Sequence, residues 1–221
     1  MRIKNRILFD LLDILKHQEE IMFKKFVVHP LIRSKHSELI DAPQVVLVQK
    51  FTEEGVKDFR DQMEKAHQTG QPIIPVLIDS YGGSVYGCLD MIGHMQKATL
   101  PVHTIVTGKA MSAGAILFGM GQVRHMAENA TLMLHDASMW TGGKTEEIKA
   151  DAKEIERLNG LIFKLIAENC GQKEDYFTKL VHEKGHADWY MTAKDAKKYK
   201  ICTNIGIPEM TVEVSVNYKF A

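Results

Sequence analysis

Between Val102 and Phe118 two apolar runs are joined by a tract built mostly of glycine, alanine and serine, Gly108-Lys109-Ala110-Met111-Ser112-Ala113-Gly114-Ala115. The run Val102 to Thr107 is β-branched and reads as a buried strand, and Ile116, Leu117 and Phe118 resume on the far side as a helix. A strand that turns tightly into a helix through small residues leaves Ser112 at the helix N-terminus. Free backbone N–H groups and the positive end of the helix dipole there favour negative charge beside the hydroxyl. The same alternation recurs from Val45 onward: strand at Val45 to Val48, helix at Glu53 to His67, strand at Ile73 to Asp79, helix at Ser84 to Lys97. Strands alternating with helices predict an α/β fold with crossover helices.

Ser112 admits two readings. It is either a helix N-cap with small neighbours for close packing or a nucleophile, and partners must decide. His135 ends the run Thr131-Leu132-Met133-Leu134, a buried strand that would deliver an imidazole at its end; alone, it reads as a strand-end histidine bonded to a neighbouring loop. Asp188 precedes Trp189-Tyr190-Met191 and a short helix that Thr192 could cap; alone, it reads as a loop aspartate bonded to nearby backbone. Asp136 is nearer in sequence, but successive strand side chains point to opposite faces, so it is a poor partner for His135. Upstream, the strand Pro75 to Asp79 ends in Ser80-Tyr81-Gly82-Gly83-Ser84, where paired glycines let a backbone approach a ligand with its N–H groups turned inward.

Taken in order, Ile78-Asp79-Ser80-Tyr81-Gly82-Gly83, the tract Gly108 to Ala115, His135 and the segment Asp188 to Tyr199 resemble the motifs of the ClpP family, the serine peptidase subunits of ATP-dependent caseinolytic proteases. The resemblance runs from about Val45 to Ile207. It implies the ClpP/crotonase-like ββα superhelix with a long protruding handle helix, a nucleophile at Ser112, a general base at His135 and an orienting acid at Asp188. It also implies an oxyanion hole from the backbone N–H groups of Gly83 and Ala113. The partners it implies are unfolded protein or peptide substrates, a homo-oligomer of stacked heptameric rings, and a Clp-type ATPase unfoldase. Several positions depart from the family pattern. Tyr81 stands in place of proline, Ala113 in place of methionine, and Lys200 and Thr203 in place of a glycine and an acidic residue. The first 40 or so residues are unlike the family's usual axial-loop segment, as in a divergent or phage-type member that works without an ATPase.

Ile7, Leu8, Leu11, Leu12 and Leu15 recur at helical spacing and predict an amphipathic helix over residues 3 to 24, followed by a polar linker around Ser34 to Ser37 and Pro43. The expected division is therefore an N-terminal segment over residues 1–42 and a peptidase-like domain over 43–221. Ile148, Ala152, Ile155, Leu158, Ile162, Leu165 and Ile166 draw a continuous apolar stripe along a long helix between Gly143 and Gly171, the handle helix of the resemblance. Val212, Val214, Val216, Tyr218 and Phe220 alternate as a half-buried terminal strand.

With 221 residues, 45% of them hydrophobic, and a formal net charge of zero, the chain suits one well-buried domain, and nothing points to nucleic acid. Three cysteines without paired spacing suggest free thiols, and no stretch is long and apolar enough to span a membrane, so the expected location is cytoplasmic. No cofactor or metal is expected. One motif speaks for other chemistry: His182-Glu183-Lys184-Gly185-His186 fits the H-E-x-x-H pattern of zinc proteases, although Gly185 weakens a helix there and no third-ligand signature follows it. Two further readings keep the fold and change the role: a crotonase-like enzyme acting on acyl thioesters through the same N–H pair, and a non-catalytic ring subunit.

Overall fold

The computed structural model describes residues 24–28 and 44–214. Two compact units divide the chain. In one of them β1 (Lys24–Val28) pairs antiparallel with β9 (Met210–Val214), Phe26 opposite Val212. The alternation at Val212 and Val214 thus lies in a strand, while Val216, Tyr218 and Phe220 lie outside the described residues. The expected N-terminal helix also lies outside them except at Lys24, which is strand rather than helix. The linker expected around Ser34 to Pro43 is likewise outside the described residues.

The other unit is the α/β body, as the alternating pattern predicted. Its elements are β2 (Val46–Val48), α1 (Glu53–Gln68), β3 (Ile74–Ser80), α2 (Val85–Lys97), β4 (Val102–Met111), α3 (Ala113–Gly119), β5 (Val123–Met126), β6 (Thr131–Leu134), α4 (Thr145–Asn169), α5 (Tyr176–Glu183), β7 (Trp189–Met191), α6 (Ala193–Lys198) and β8 (Asn204–Ile205). Strands β2, β3, β4, β5 and β8 lie side by side and all pair in parallel. Parallel neighbours need crossovers, and buried strands need both faces covered, which is why β3 is apolar from Ile74 to Ile78 and β4 buries Val102, Ile105, Val106 and Ala110.

The helices present matching faces. Val56, Phe59, Met63 and Ala66 recur at three- and four-residue steps on α1 and are buried, while Glu53 and Glu54 face its positive end and Thr52 caps it by accepting from the Gly55 N–H. Cys88, Met91, Ile92 and Met95 do the same for α2, capped by Ser84. Short α3 is buried along its entire length, so its small residues are a requirement of volume rather than of propensity.

Strand β4 changes partner midway. Its first part, His103 to Val106, pairs with β5, and its last three residues, Lys109 to Met111, pair in parallel with β6. Strand β6 in turn pairs antiparallel with β7, Leu134 opposite Trp189. This fork is what brings three distant segments to one place. The 200–204 turn behind β5 is tied by buried Arg124, which donates to the carbonyls of Gly121, Lys200 and Ile201. Thr203, at the position where the resemblance expects an acid, accepts from the Arg124 N–H through its hydroxyl and donates to the Arg124 carbonyl.

Candidate active site

Ser112 follows the last residue of β4 with φ 54° and ψ −124°, a conformation that L residues adopt only at a cost of about 1–2 kcal/mol. The surrounding ladder holds it there: its N–H donates to the Met133 carbonyl at 2.8 Å, prolonging the β4–β6 pairing by one residue. Ser112 is the N-cap residue of α3, yet its side chain makes no capping bond. The hydroxyl oxygen lies 2.8 Å from Nε2 of His135. Of the two readings of this serine, simple capping is therefore the one the geometry does not support.

The register of the sheet explains His135 and Asp188 together. Leu132, Met133 and Leu134 of β6 face Met191, Tyr190 and Trp189 of β7, so the next opposed pair is His135 with Asp188. His135 Nδ1 lies 3.9 Å from Asp188 Oδ1, which is ion-pair range and longer than a hydrogen bond. The histidine is three-quarters buried, while Asp188 is half exposed with the Tyr190 hydroxyl 3.5 Å from its Oδ2.

Asp136 is directed elsewhere, as strand alternation predicted. Its carboxylate accepts from Asn159 Nδ2 at 2.8 Å and from His186 Nδ1 at 2.5 Å. Burial opposes the charge on Asp136, and the bonds from His186 and Asn159 outweigh it, holding the carboxyl below its ordinary pKa. Asn159 of α4 also accepts from the Ala137 N–H at 2.9 Å, so it fastens the segment after His135 to the long helix. Nothing in the sequence marked Asn159, because a lone asparagine on a helix face carries no pattern.

The glycine pair closes the site from the β3 side. At Gly82, with φ +102°, a Cβ would stand 2.7 Å from the Cβ of Ser112, so only glycine permits this approach to the serine. Gly83, with φ +150°, bridges to Phe51, and a Cβ there would stand 3.0 Å from the Phe51 side chain. Gly83, Ser112, Ala113 and His135 share one pocket whose apolar wall includes Val85, Cys88, Ile116 and Ile162. Burial pushes the Cys88 thiol up to about 12, so this wall is chemically inert. Cys170 and Cys202 are buried free thiols as well. Ile162 belongs to the apolar stripe of α4, but it is buried in this body and is spent on the pocket.

Helix α5 ends at Glu183, and Gly185 and His186 both take positive φ. The continuous helix that the H-E-x-x-H pattern requires is therefore not formed. His182 and His186 nevertheless come together, and their ligand atoms and those of Asp136 all lie within 4.8 Å of one another. Among the described residues, these are the side chains that could hold a metal ion.

A strand-to-helix serine in hydrogen-bond contact with a strand-end histidine, faced by an aspartate across the next register and set on a parallel sheet, places the molecule among α/β proteins that carry a Ser-His-Asp constellation. More narrowly, the chain belongs to the Clp protease family, whose profile matches residues 32–208. Over 128 residues it is 32% identical to the ATP-dependent Clp protease proteolytic subunit from each of two strains of Bacteroides fragilis. That match covers 57% of this chain and 60% of one relative's length and 56% of the other's. Among the described residues no helix is long and apolar enough to cross a membrane.

Proposed function

We propose that the chain is a serine endopeptidase that hydrolyses peptide bonds of unfolded proteins through Ser112, His135 and Asp188. The observation that carries this reading is the 2.8 Å contact between His135 Nε2 and the hydroxyl of a serine that heads a helix without capping it. Ser112 Oγ attacks the peptide carbonyl carbon as its proton passes to His135 Nε2, and the carbonyl oxygen takes up the charge between the N–H groups of Gly83 and Ala113. The C–N bond then breaks as the imidazolium gives its proton to the leaving amine, and an acyl-enzyme remains. Water, deprotonated by the same histidine, attacks the ester, and Ser112 leaves with the proton restored. Asp188 sets the tautomer and orientation of His135. The pocket bounded by Val85, Cys88, Ile116 and Ile162 would receive one apolar substrate side chain, while the extended backbone beside Gly83 and after His135 would add the peptide as a strand.

The relatives are named proteolytic subunits of ATP-dependent proteases. On that basis the chain acts in a homo-oligomer of stacked heptameric rings that encloses the sites, works in the cytoplasm and is fed by a separate Clp-type ATPase unfoldase.

Labelling with a fluorophosphonate, followed by peptide mapping, tests the chemistry. Modification at Ser112, lost in Ser112→Ala and in His135→Ala and indifferent to a chelator, is the expected result. Cleavage of unstructured peptides retained by Ser112→Ala would overturn it.

A further inference from the structure

We propose that Asp136, His182 and His186 form a binding site for a divalent transition-metal cation of the zinc class, separate from the Ser112 site. Two imidazoles and a carboxylate are a donor set suited to such ions, and they leave a fourth position for water. Zinc held at its usual bond lengths in a tetrahedron sets its ligand atoms about 3.3 Å apart. The donor atoms here already lie within 4.8 Å of one another, so rotations of exposed side chains suffice to close the set.

Three observations support a built arrangement. The His182 and His186 rings lie with centroids 4.2 Å apart, tilted by 37°, although the helix carrying His182 has ended before His186 is reached. Left-handed residues at Gly185 and His186 turn the chain back, and the His186 N–H donates to the Val181 carbonyl at 3.1 Å, which fixes the second ring beside the first. The Asp136 carboxylate is oriented from behind by Asn159, as carboxylate ligands of metals commonly are. A cation would take the Nδ1 position from which His186 now contacts Asp136, and the neutral ring would carry its single proton on Nε2 instead.

The position gives the site a consequence. Asp136 directly follows His135, and His186 lies two residues before Asp188, so a bound cation would join the end of β6 to the loop leading into β7 without using either residue. It would act as a removable clasp on that loop.

The test uses the full chain carrying Ser112→Ala, so that its outcome does not depend on the peptidase reading. Cobalt(II) added to this protein should give d–d absorption bands saturating at one ion per chain, and zinc should abolish them by displacement. His182→Ala and His186→Ala should each weaken cobalt binding at least tenfold. His182→Gln, a conservative change at an exposed position, should do the same with an unaltered circular dichroism spectrum. Zinc should slow amide exchange in residues 182–188 of the parent and leave it unchanged in His182→Gln. Bands absent from the parent, or equally strong in His182→Gln, would overturn the proposal.

Discussion

Ser112 and Lys200 are both non-glycine residues with positive φ, and the difference between them is instructive. At Ser112, with φ 54°, the strain sets the hydroxyl against His135 rather than over the helix it heads. At Lys200, with φ 62°, it meets no comparable use, and the family resemblance expects glycine there. Lys200→Gly should therefore stabilise the fold by about 0.5–1 kcal/mol, measured as a raised urea midpoint at constant m. Asp188 is half exposed and stands 3.9 Å from His135. Asp188→Asn should lower kcat by roughly 10²- to 10⁴-fold, the upper figure being the loss when a fully buried aspartate is changed in this way. A loss under about tenfold would mean that another group orients the imidazole. His103 and His125 sit on adjacent strands with ring centroids 6.3 Å apart, and burial lowers the pKa of both. A histidine whose pKa is lower folded than unfolded binds more protons when unfolded, so stability is full above the ordinary histidine value and falls as pH drops below about 6.5. Replacing both with glutamine should flatten the stability profile where it falls below about pH 6.5, as followed by thermal melts.

Elements here are held by a few polar ties as much as by apolar faces. Arg124 on β5 is buried and gives its guanidinium N–H groups to three carbonyls, two of them in the turn after α6. Arg124→Met would fill the volume but leave those carbonyls unpaired, so it should cost about 2–4 kcal/mol and lower Tm by roughly 5 °C or more. Helix α4 illustrates a different division of labour. Its C-terminal half buries Leu158, Ile162, Phe163 and Ile166 in the body, while its N-terminal turns leave Ile148 and Ala152 exposed. A stripe continuous in sequence thus serves two surroundings, exposed at one end of the 25-residue helix and buried at the other. Periodicity reports that a face is apolar and is silent about what covers it.

At the scale of the whole molecule, the exposed start of α4 is the part of the stripe that the body leaves uncovered. If the chain assembles into the stacked rings proposed above, Ile148→Glu with Ala152→Glu should split them into smaller particles that keep their helical content, as read by light scattering in line with size exclusion and by circular dichroism. A charge at Ile162 should instead disrupt the fold, since that side chain is buried beside the pocket. Much of this architecture was legible in the chain. The alternation of strand and helix, the strand runs expected at 73–79 and 102–107, the small residues around Ser112 and the cap at Thr192 are local properties, governed by neighbours one to four residues away. Ser112, His135 and Asp188 could be proposed from motif order, and the rejection of Asp136 as a partner for His135 followed from strand alternation alone. The pairing of β1 with β9 had no such signal, for a partner nearly two hundred residues away leaves no mark on a five-residue strand. Nor could the sequence set the distances at the site. Those depend on β4 exchanging β5 for β6 at mid-strand and on the β6–β7 register, which puts Asp188 opposite His135. Residue type and spacing determined which groups were available, and long-range strand pairing, a cooperative choice of the whole chain, decided which of them meet.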